Sequence, residues 1–417
     1  MTALTVHGNH FRRHGAKEFL LADTAWAAVP RSGAAEWAAY LRHRRRQGFT
    51  AVLISLLPIP HGRSIGPDDQ APFAVRPDGT WDLDRPDPEY RTVARQRVAA
   101  AAEAGLTPFC VPFWNNYVPG TWGAARSPDT VMTTGQIRDH LDDVLDALRD
   151  VEVVWLVSGD DDFAGVAAPG CYEMAVRRIR TLRPGSLVGA HPAVASLPPS
   201  TLAHRLDFHC YQSGHDKDHL PRCAGLAGRL RDRHRAAPVL NLEPCYEDHL
   251  SAGAGHRHTA ADVRQAAWTS VLAGATAGVG YGAHGVWSWH RDGDTFTDPA
   301  YAGEPAAVDR SLHLAGARDM ALLRRLVEDH DLFDLAPRPS VGTSVPVAAT
   351  ADLATVAAFV PAGVGTHIPV PVKEHRVQIT DLNERHPRTT EPTVAAGAPA
   401  LTIAARSVDR LVVARRR

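Results

Sequence analysis

Short continuous apolar runs alternate with longer segments whose apolar residues recur every three or four positions, from the start of the chain to about Asp331. Continuous runs suit strands covered on both faces, and spaced apolar residues suit amphipathic helices, so the alternation predicts parallel α/β architecture. The strand-like runs are Phe19 to Trp26, Phe49 to Leu57, Thr107 to Trp114, Val151 to Asp160, Leu187 to Pro192, Leu206 to Gly214 and Val239 to Glu243, and Gly280 to Trp289 reads as an eighth strand with its exit loop. Trp37, Tyr40, Leu41 and Arg44 share one face of the first helix, which Gly48 stops. Further helices are predicted over about 89–104, 171–182, 220–235 and 304–327. Capping-box spacing opens two more, at Thr133/Gln136 and Thr259/Asp262. Eight strand–helix units read as a (β/α)8 TIM barrel over residues 1–335.

After Asp331 the pattern changes. Leu353 to Pro361, Val377 to Leu382 and Leu401 to Val413 are strand-like, with Pro, Gly and Thr clusters and no helical spacing between them. They read as a small all-β sandwich domain over residues 340–417, starting near Ser340. This part has no Trp or Tyr and one Phe, Phe359, which favours packing over ligand binding. The stretch from Pro58 to Pro88 reads as a long loop, with Phe73 and Trp81 packing it down or lining a pocket.

Composition narrows the classes. The chain has 417 residues, 44% of them hydrophobic, enough for a large core. Lys+Arg 45 against Asp+Glu 46 gives a net charge of -1, which argues against a nucleic-acid or anionic-membrane surface. No signal-peptide pattern opens the sequence and no run is long enough for a membrane span, so a cytoplasmic location is expected. The five cysteines, with no CxxC, read as reduced thiols. Nothing in the sequence sets the oligomeric state.

Chemistry is expected at the carboxyl ends of barrel strands. Two strands end in carboxylates: VEVVWLVSGD in Asp160 and VLNLE in Glu243. Paired carboxylates facing a cleft suit glycoside hydrolysis, in which one protonates the leaving group and the other attacks or activates water. Asp161 and Asp162 are rivals to Asp160, and Glu247 is a rival to Glu243. Trp26, Trp114, Tyr211, Tyr281, Trp287 and Trp289 are candidate stacking platforms for a carbohydrate. Asp23, Asn115, His191, Gln212 and His215 are candidate polar contacts.

Two other readings are open. One is a barrel that binds carbohydrate without cleaving it. The other is a metal-dependent hydrolase, suggested by 22 histidines and by Asp207, His209, His215 and His219 lying close in sequence, with His191 before them. No HExxH is present, and the HxH of His256 and His258 reads as a surface loop. No cofactor and no catalytic metal are expected. GYGAHG, with Gly280, Gly282 and Gly285, matches GxGxxG only formally, since no helix is expected to open after it.

The segments LLADTAW, RRRQGFTAV, VVWLVSGD, HPAVAS, YQSGH, NLEPCYE and VRQAAWTSVLAGATAGVGYGAHGVWSW occur in this order from about Phe11 to Leu326. Together they resemble the apiosidase-like glycoside hydrolases of family 140. The resemblance implies a β/α barrel followed by a small β-sandwich that packs on it. It also implies a retaining mechanism, with Asp160 as general acid/base and Glu243 as nucleophile. The implied substrate is a terminal furanoside, apiose in plant pectin side chains for characterised relatives. Glu247, in the same motif, would be a substrate contact. Enzymes of the wider clan usually carry Asn-Glu at the end of strand four, where this chain has Gly159-Asp160.

Overall fold

The computed structural model describes residues 3–59, 64–67, 69–234, 236–338, 345–368, 370, 374–382, 388–391 and 400–417. Ser340 and Arg235, the expected start of the β-domain and end of one helix, lie outside the described residues.

Eight parallel strands form the barrel wall: β1 Leu20–Thr24, β2 Ala51–Ser55, β3 Thr107–Val111, β4 Val154–Leu156, β5 Val188–Gly189, β6 His209–Gln212, β7 Val239–Glu243 and β8 Gly278–Tyr281. Every residue in them is buried, as runs covered on both faces require. Neighbours pair in chain order, from Ala22 opposite Ala51 to Leu240 opposite Gly278, and β8 returns to β1 through Gly278 opposite Leu20. Between β5 and β6 a side chain helps close the wall. The Asp207 amide donates to the Val188 carbonyl at 2.9 Å, and the Asp207 carboxylate accepts from the Val188 amide at 2.7 Å.

The outer helices are α1 Ala34–Gln47, α2 Pro88–Glu103, α3 Thr134–Ala147, α4 Ala168–Leu182, the short α5 Ser200–Ala203, α6 His219–Arg233, α7 Ala260–Leu272 and α8 Gly316–Asp329. The expected α1 face, Trp37, Tyr40, Leu41 and Arg44, is the buried one, and Gly48 ends the helix at φ 98°. Both expected capping boxes form. Most strands are shorter than their apolar runs, because the last residues of those runs leave the sheet toward the mouth of the barrel; β7 keeps its whole run. In GYGAHGVWSW, β8 ends at Tyr281, and the exit stretch after it carries a helical turn, His284–Trp287. The expected final helix is split, with a turn at Val308–Ser311 before α8. The stretch after β2 is not structureless either. Phe73–Val75 pairs with Trp81–Pro86, and Phe73 and Trp81 pack together with ring centroids 6.2 Å apart.

The C-terminal strands are β9 Ala336–Pro337, β10 Val347–Ala349, β11 Thr355–Val360, β12 Thr366–Ile368, β13 His375–Asp381, β14 Thr389–Thr390, β15 Leu401–Ile403 and β16 Arg410–Arg416. They make an antiparallel sheet of order β9-β10-β11-β16-β13-β14 and a separate β12-β15 pair. Period-two alternation divides the sheet's side chains. Ala357, Phe359, Leu411 and Val413 join the barrel's apolar core. Val356, Ala358, Val412 and Ala414 join a second cluster with Ile368, Leu401 and Ile403 of the pair. Arg264 of α7 is ion-paired to Asp409 and Asp319 across the junction. Buried charges there are tolerable because each meets an opposite one.

Candidate active site

At the carboxyl ends of the strands lies a cleft of about 600 Å³, lined by Trp26, Trp114, Asp160, Gln212, His215, Glu243, Tyr246 and Trp287 among others. Glu243 is the last residue of β7, where Pro244 stops the ladder. Its Oε1 accepts hydrogen bonds from Gln212 Nε2 at 2.5 Å and His215 Nε2 at 3.0 Å. His191 Nε2 lies 3.3 Å from Oε2, close but off the angle of a good hydrogen bond. The tautomer of His215 follows from its other nitrogen. The Tyr246 amide donates to Nδ1 at 3.2 Å, so the ring proton is on Nε2 and is given to Glu243.

Burial alone would raise the Glu243 pKa. The donors and imidazole rings around it, His191 and His215 foremost, outweigh burial and hold the carboxyl below its ordinary range. The surroundings of Glu243 therefore favour its anionic form. It accepts protein donors from one side and faces the cleft on the other.

Asp160 comes from the opposite part of the rim. It follows β4, is half-buried and has φ 53°, a left-handed conformation that Asp tolerates better than most residues. The turn is held by its carbonyl, which accepts from Asn115 Nδ2 at 2.6 Å and Trp122 Nε1 at 2.9 Å. Both carboxylates act on Tyr301, another cleft residue: burial first, then the charges of Asp160 and Glu243, push its hydroxyl up to about 12. The residue before Asp160 has to be small. A Cβ on Gly159 would stand 2.3 Å from the Trp114 ring, which lies across that position and edge-on to Trp26, centroids 5.0 Å apart. A larger side chain such as Asn does not fit there while Trp114 stays where it is.

Residues 7–334 match the family model described as apiosidase-like, catalytic domain. The chain belongs to the apiosidase-like family. It is therefore a glycoside hydrolase. No curated protein matches it in sequence. Among solved structures, one described as a glycoside hydrolase superposes with a TM-score of 0.81 at 17% identity, over 100% of this chain and 97% of its own. A glycoside hydrolase family 5 protein from Bacteroides vulgatus ATCC 8482 gives 0.79 at 16% identity, over 99% and 93%. At such identities these are likenesses of fold.

In this apiosidase-like chain, Trp26, Trp114, Gln212, His215 and Trp287 line the cleft as expected from the sequence. Asn115 and His191 stand behind the lining, against the Asp160 carbonyl and Glu243. Three expected substrate contacts are not in the cleft. Asp23 points outward into the helix layer, where it accepts from Tyr40 Oη and Arg44 Nε, each at 2.6 Å. Glu247 turns away and accepts from Tyr281 Oη at 2.6 Å and the Gly316 amide at 2.9 Å, at the first turn of α8. Tyr281 is spent on that bond. Tyr211 and Trp289 are buried in the wall: Tyr211 Oη donates to the Cys223 carbonyl, and Trp289 packs on Trp37 and Tyr40. Of the acidic triplet, Asp161 is turned inward to Tyr172 and the Phe163 amide, while Asp162 reaches the rim.

The histidines proposed as a metal cluster disperse. His209 stacks on His234, His215 serves Glu243, and Asp207 closes the barrel. His258 is not a surface residue; it is buried, with Nε2 donating to the His215 carbonyl at 2.7 Å. No helix among the described residues is long and apolar enough to cross a membrane.

Sequence reasoning missed Tyr246, His249, Trp122, Arg126, Asp298 and Tyr301, all of which line the cleft. Tyr246 carried a usable signal, being three residues past the strand-end carboxylate. Its hydroxyl accepts from Trp26 Nε1 at 3.2 Å, and its ring fills the space left by Gly282, where a Cβ would stand 2.2 Å from it. Arg126 and Asp298 sit on loops after β3 and β8 and meet in an ion pair of 3.1 Å on the rim. Nothing local in sequence relates them.

Proposed function

We propose that the protein is a retaining, exo-acting glycosidase that releases a terminal furanose of the apiose type from an oligosaccharide or glycoside. The observation that carries this is the setting of Glu243, which accepts from Gln212 Nε2 and His215 Nε2 while it faces the cleft. A carboxylate that accepts two such donors is set up as the anion of a two-carboxylate pair, and in a retaining mechanism the anion is the nucleophile. Asp160, across the same cleft, takes the acid/base part.

In the first step Asp160 gives its proton to the glycosidic oxygen as the bond to the anomeric carbon breaks. Glu243 attacks that carbon and forms a glycosyl ester. Asp160, now ionised, takes a proton from water. The water attacks the same carbon, Glu243 leaves, and the sugar departs with its configuration retained. The donors from Gln212 and His215 hold Glu243 on the attack path and accept its charge back when the ester breaks. Trp26, Trp114 and Trp287 offer faces for the sugar ring. A cleft of about 600 Å³ is in the range of small-ligand sites, which favours a terminal sugar over a long polymer.

The test is hydrolysis of a panel of aryl pentofuranosides and pyranosides, with the product followed by NMR. Release from a furanoside with the initial product in the substrate's anomeric configuration supports the reading. Inverted product overturns the retaining mechanism, and turnover confined to pyranosides overturns the sugar assignment.

A further inference from the structure

Behind Glu243, outside the cleft, three side chains from separate elements converge. His219 opens α6, Cys245 follows β7 by two residues, and His258 precedes α7. All three are buried. His219 Nδ1 donates to the Asp216 carbonyl at 2.8 Å, so its Nε2 carries a bare lone pair. His258 Nε2 donates to the His215 carbonyl at 2.7 Å, so its Nδ1 is bare too. Neither bare nitrogen has a hydrogen-bond partner among the described residues. The three ligand atoms lie within 4.8 Å of one another.

Two unpartnered imidazole lone pairs in a dry interior are costly unless something accepts them. Backbone carbonyls that hold the remote N–H of each ring are the usual orienting partners of metal-bound histidines. From this geometry we infer that His219 Nε2, His258 Nδ1 and Cys245 Sγ form a structural site for a borderline-soft divalent ion, zinc being the best match.

The donor set of two imidazoles and one thiolate suits zinc, at about 2.0–2.1 Å from nitrogen and about 2.3 Å from sulfur. Such ligands stand roughly 3.5 Å apart in a tetrahedron, so the trio has only to contract by about an ångström. On binding, the Cys245 thiol releases its proton to solvent and the thiolate lone pair forms the bond to the ion. Each ring gives the proton of its remote nitrogen to a carbonyl and keeps the other nitrogen bare, which is the form that can bind. His258 also belongs to a more exposed trio with His256 of the same loop and Asp262 of the first turn of α7.

None of the three residues lines the cleft, so the ion is not a participant in bond cleavage. It pins the turn after the nucleophile to the start of α6. Through the His258 bond to the His215 carbonyl it also fixes the ring that donates to Glu243. The inference rests on this geometry alone and stands apart from the glycosidase reading.

The experiment uses the whole chain, stripped by a chelator under reducing conditions and titrated with Co²⁺ while absorption is recorded. The expected result is one equivalent bound, with a thiolate-to-cobalt charge-transfer band and tetrahedral d–d bands that Zn²⁺ abolishes. Cys245→Ser is expected to lose the charge-transfer band and at least tenfold in affinity. His219→Asn keeps a donor for the Asp216 carbonyl but removes the ligand, and is expected to weaken binding as much. It serves as the second variant if Cys245→Ser does not fold. Absence of stoichiometric binding, or a charge-transfer band that survives Cys245→Ser, overturns the site. So does binding that persists in both variants but is lost in His256→Ala, which would place the ion in the outer trio.

Discussion

Glu243→Gln separates the nucleophile's chemistry from its place in the fold. With the new amide oxygen in the Oε1 position, the donors from Gln212 at 2.5 Å and His215 at 3.0 Å are both kept. The amide nitrogen then faces His191, whose ring has no other hydrogen-bond partner among the described residues and can turn a lone pair toward it. Hydrogen bonds to a charged acceptor contribute about 1.5–3 kcal/mol and neutral ones about 0.5–1.5, so two bonds lose about 2 kcal/mol together. Removing a buried charge offsets part of this. The variant is expected to fold, with a stability loss of no more than about 2 kcal/mol. Catalysis is affected differently, because an amide cannot form the glycosyl ester. A loss of at least ~1,000-fold in kcat is expected, equivalent to about 4 kcal/mol of barrier. The assay is initial-rate hydrolysis of the best aryl furanoside, beside urea unfolding of the same preparations. Turnover above about a tenth of wild type would refute the nucleophile. A large loss of stability would show that the donors require the charge, contrary to the bookkeeping above.

Other outcomes follow from the same geometry. Glu243→Gly with added azide should recover turnover and yield a glycosyl azide of inverted configuration; Asp160→Gly with azide should yield the retained one, and the reverse assignment would exchange the two roles. Asp160→Asn should slow cleavage of a poor leaving group by ~100–10,000-fold while barely affecting attack on a dinitrophenyl glycoside, which needs no proton. The folded Glu243 pKa lies below its unfolded value of about 4.3, so its stabilisation is present above that pH and is lost as pH falls through the folded pKa. The urea-midpoint advantage of wild type over Glu243→Gln should accordingly shrink from pH 6 to pH 3, and a constant gap would contradict the depressed pKa. Gly159→Ala should push Trp114 from its place against Trp26, raising KM and quenching less or more of the tryptophan emission than wild type; unchanged KM and emission would show that the ring is not confined.

The barrel was legible because its strands are buried on both faces and read as unbroken apolar runs, and the helix caps because they are local. Strand-end position alone did not tell the cleft from the helix layer. Asp23 and Glu243 both lie at the carboxyl ends of apolar strands, yet Asp23, one residue before the end of β1, faces outward. The sequence held a signal for this: Arg44 shares the apolar face of α1 with Trp37, Tyr40 and Leu41, and a guanidinium on a buried face requires an anion beside it. Asp23 answers that need, and Glu247 is taken in the same way by Tyr281 and the start of α8. Asp160, Asp161 and Asp162 are equivalent in sequence; one left-handed residue decides which carboxylate meets the cleft and which meets Tyr172.

The same division accounts for the histidines. Counted along the chain they suggested a catalytic metal, but tertiary structure gives His209, His215 and His258 separate neighbours. His215 is the hinge of the arrangement: one ring nitrogen accepts from the Tyr246 amide, the other donates to Glu243, and its carbonyl holds His258. The anion in the cleft and the proposed ion behind it thus act on one residue from two sides. A metal found in the purified protein would, on this geometry, argue for a braced nucleophile and not for a metal-activated water.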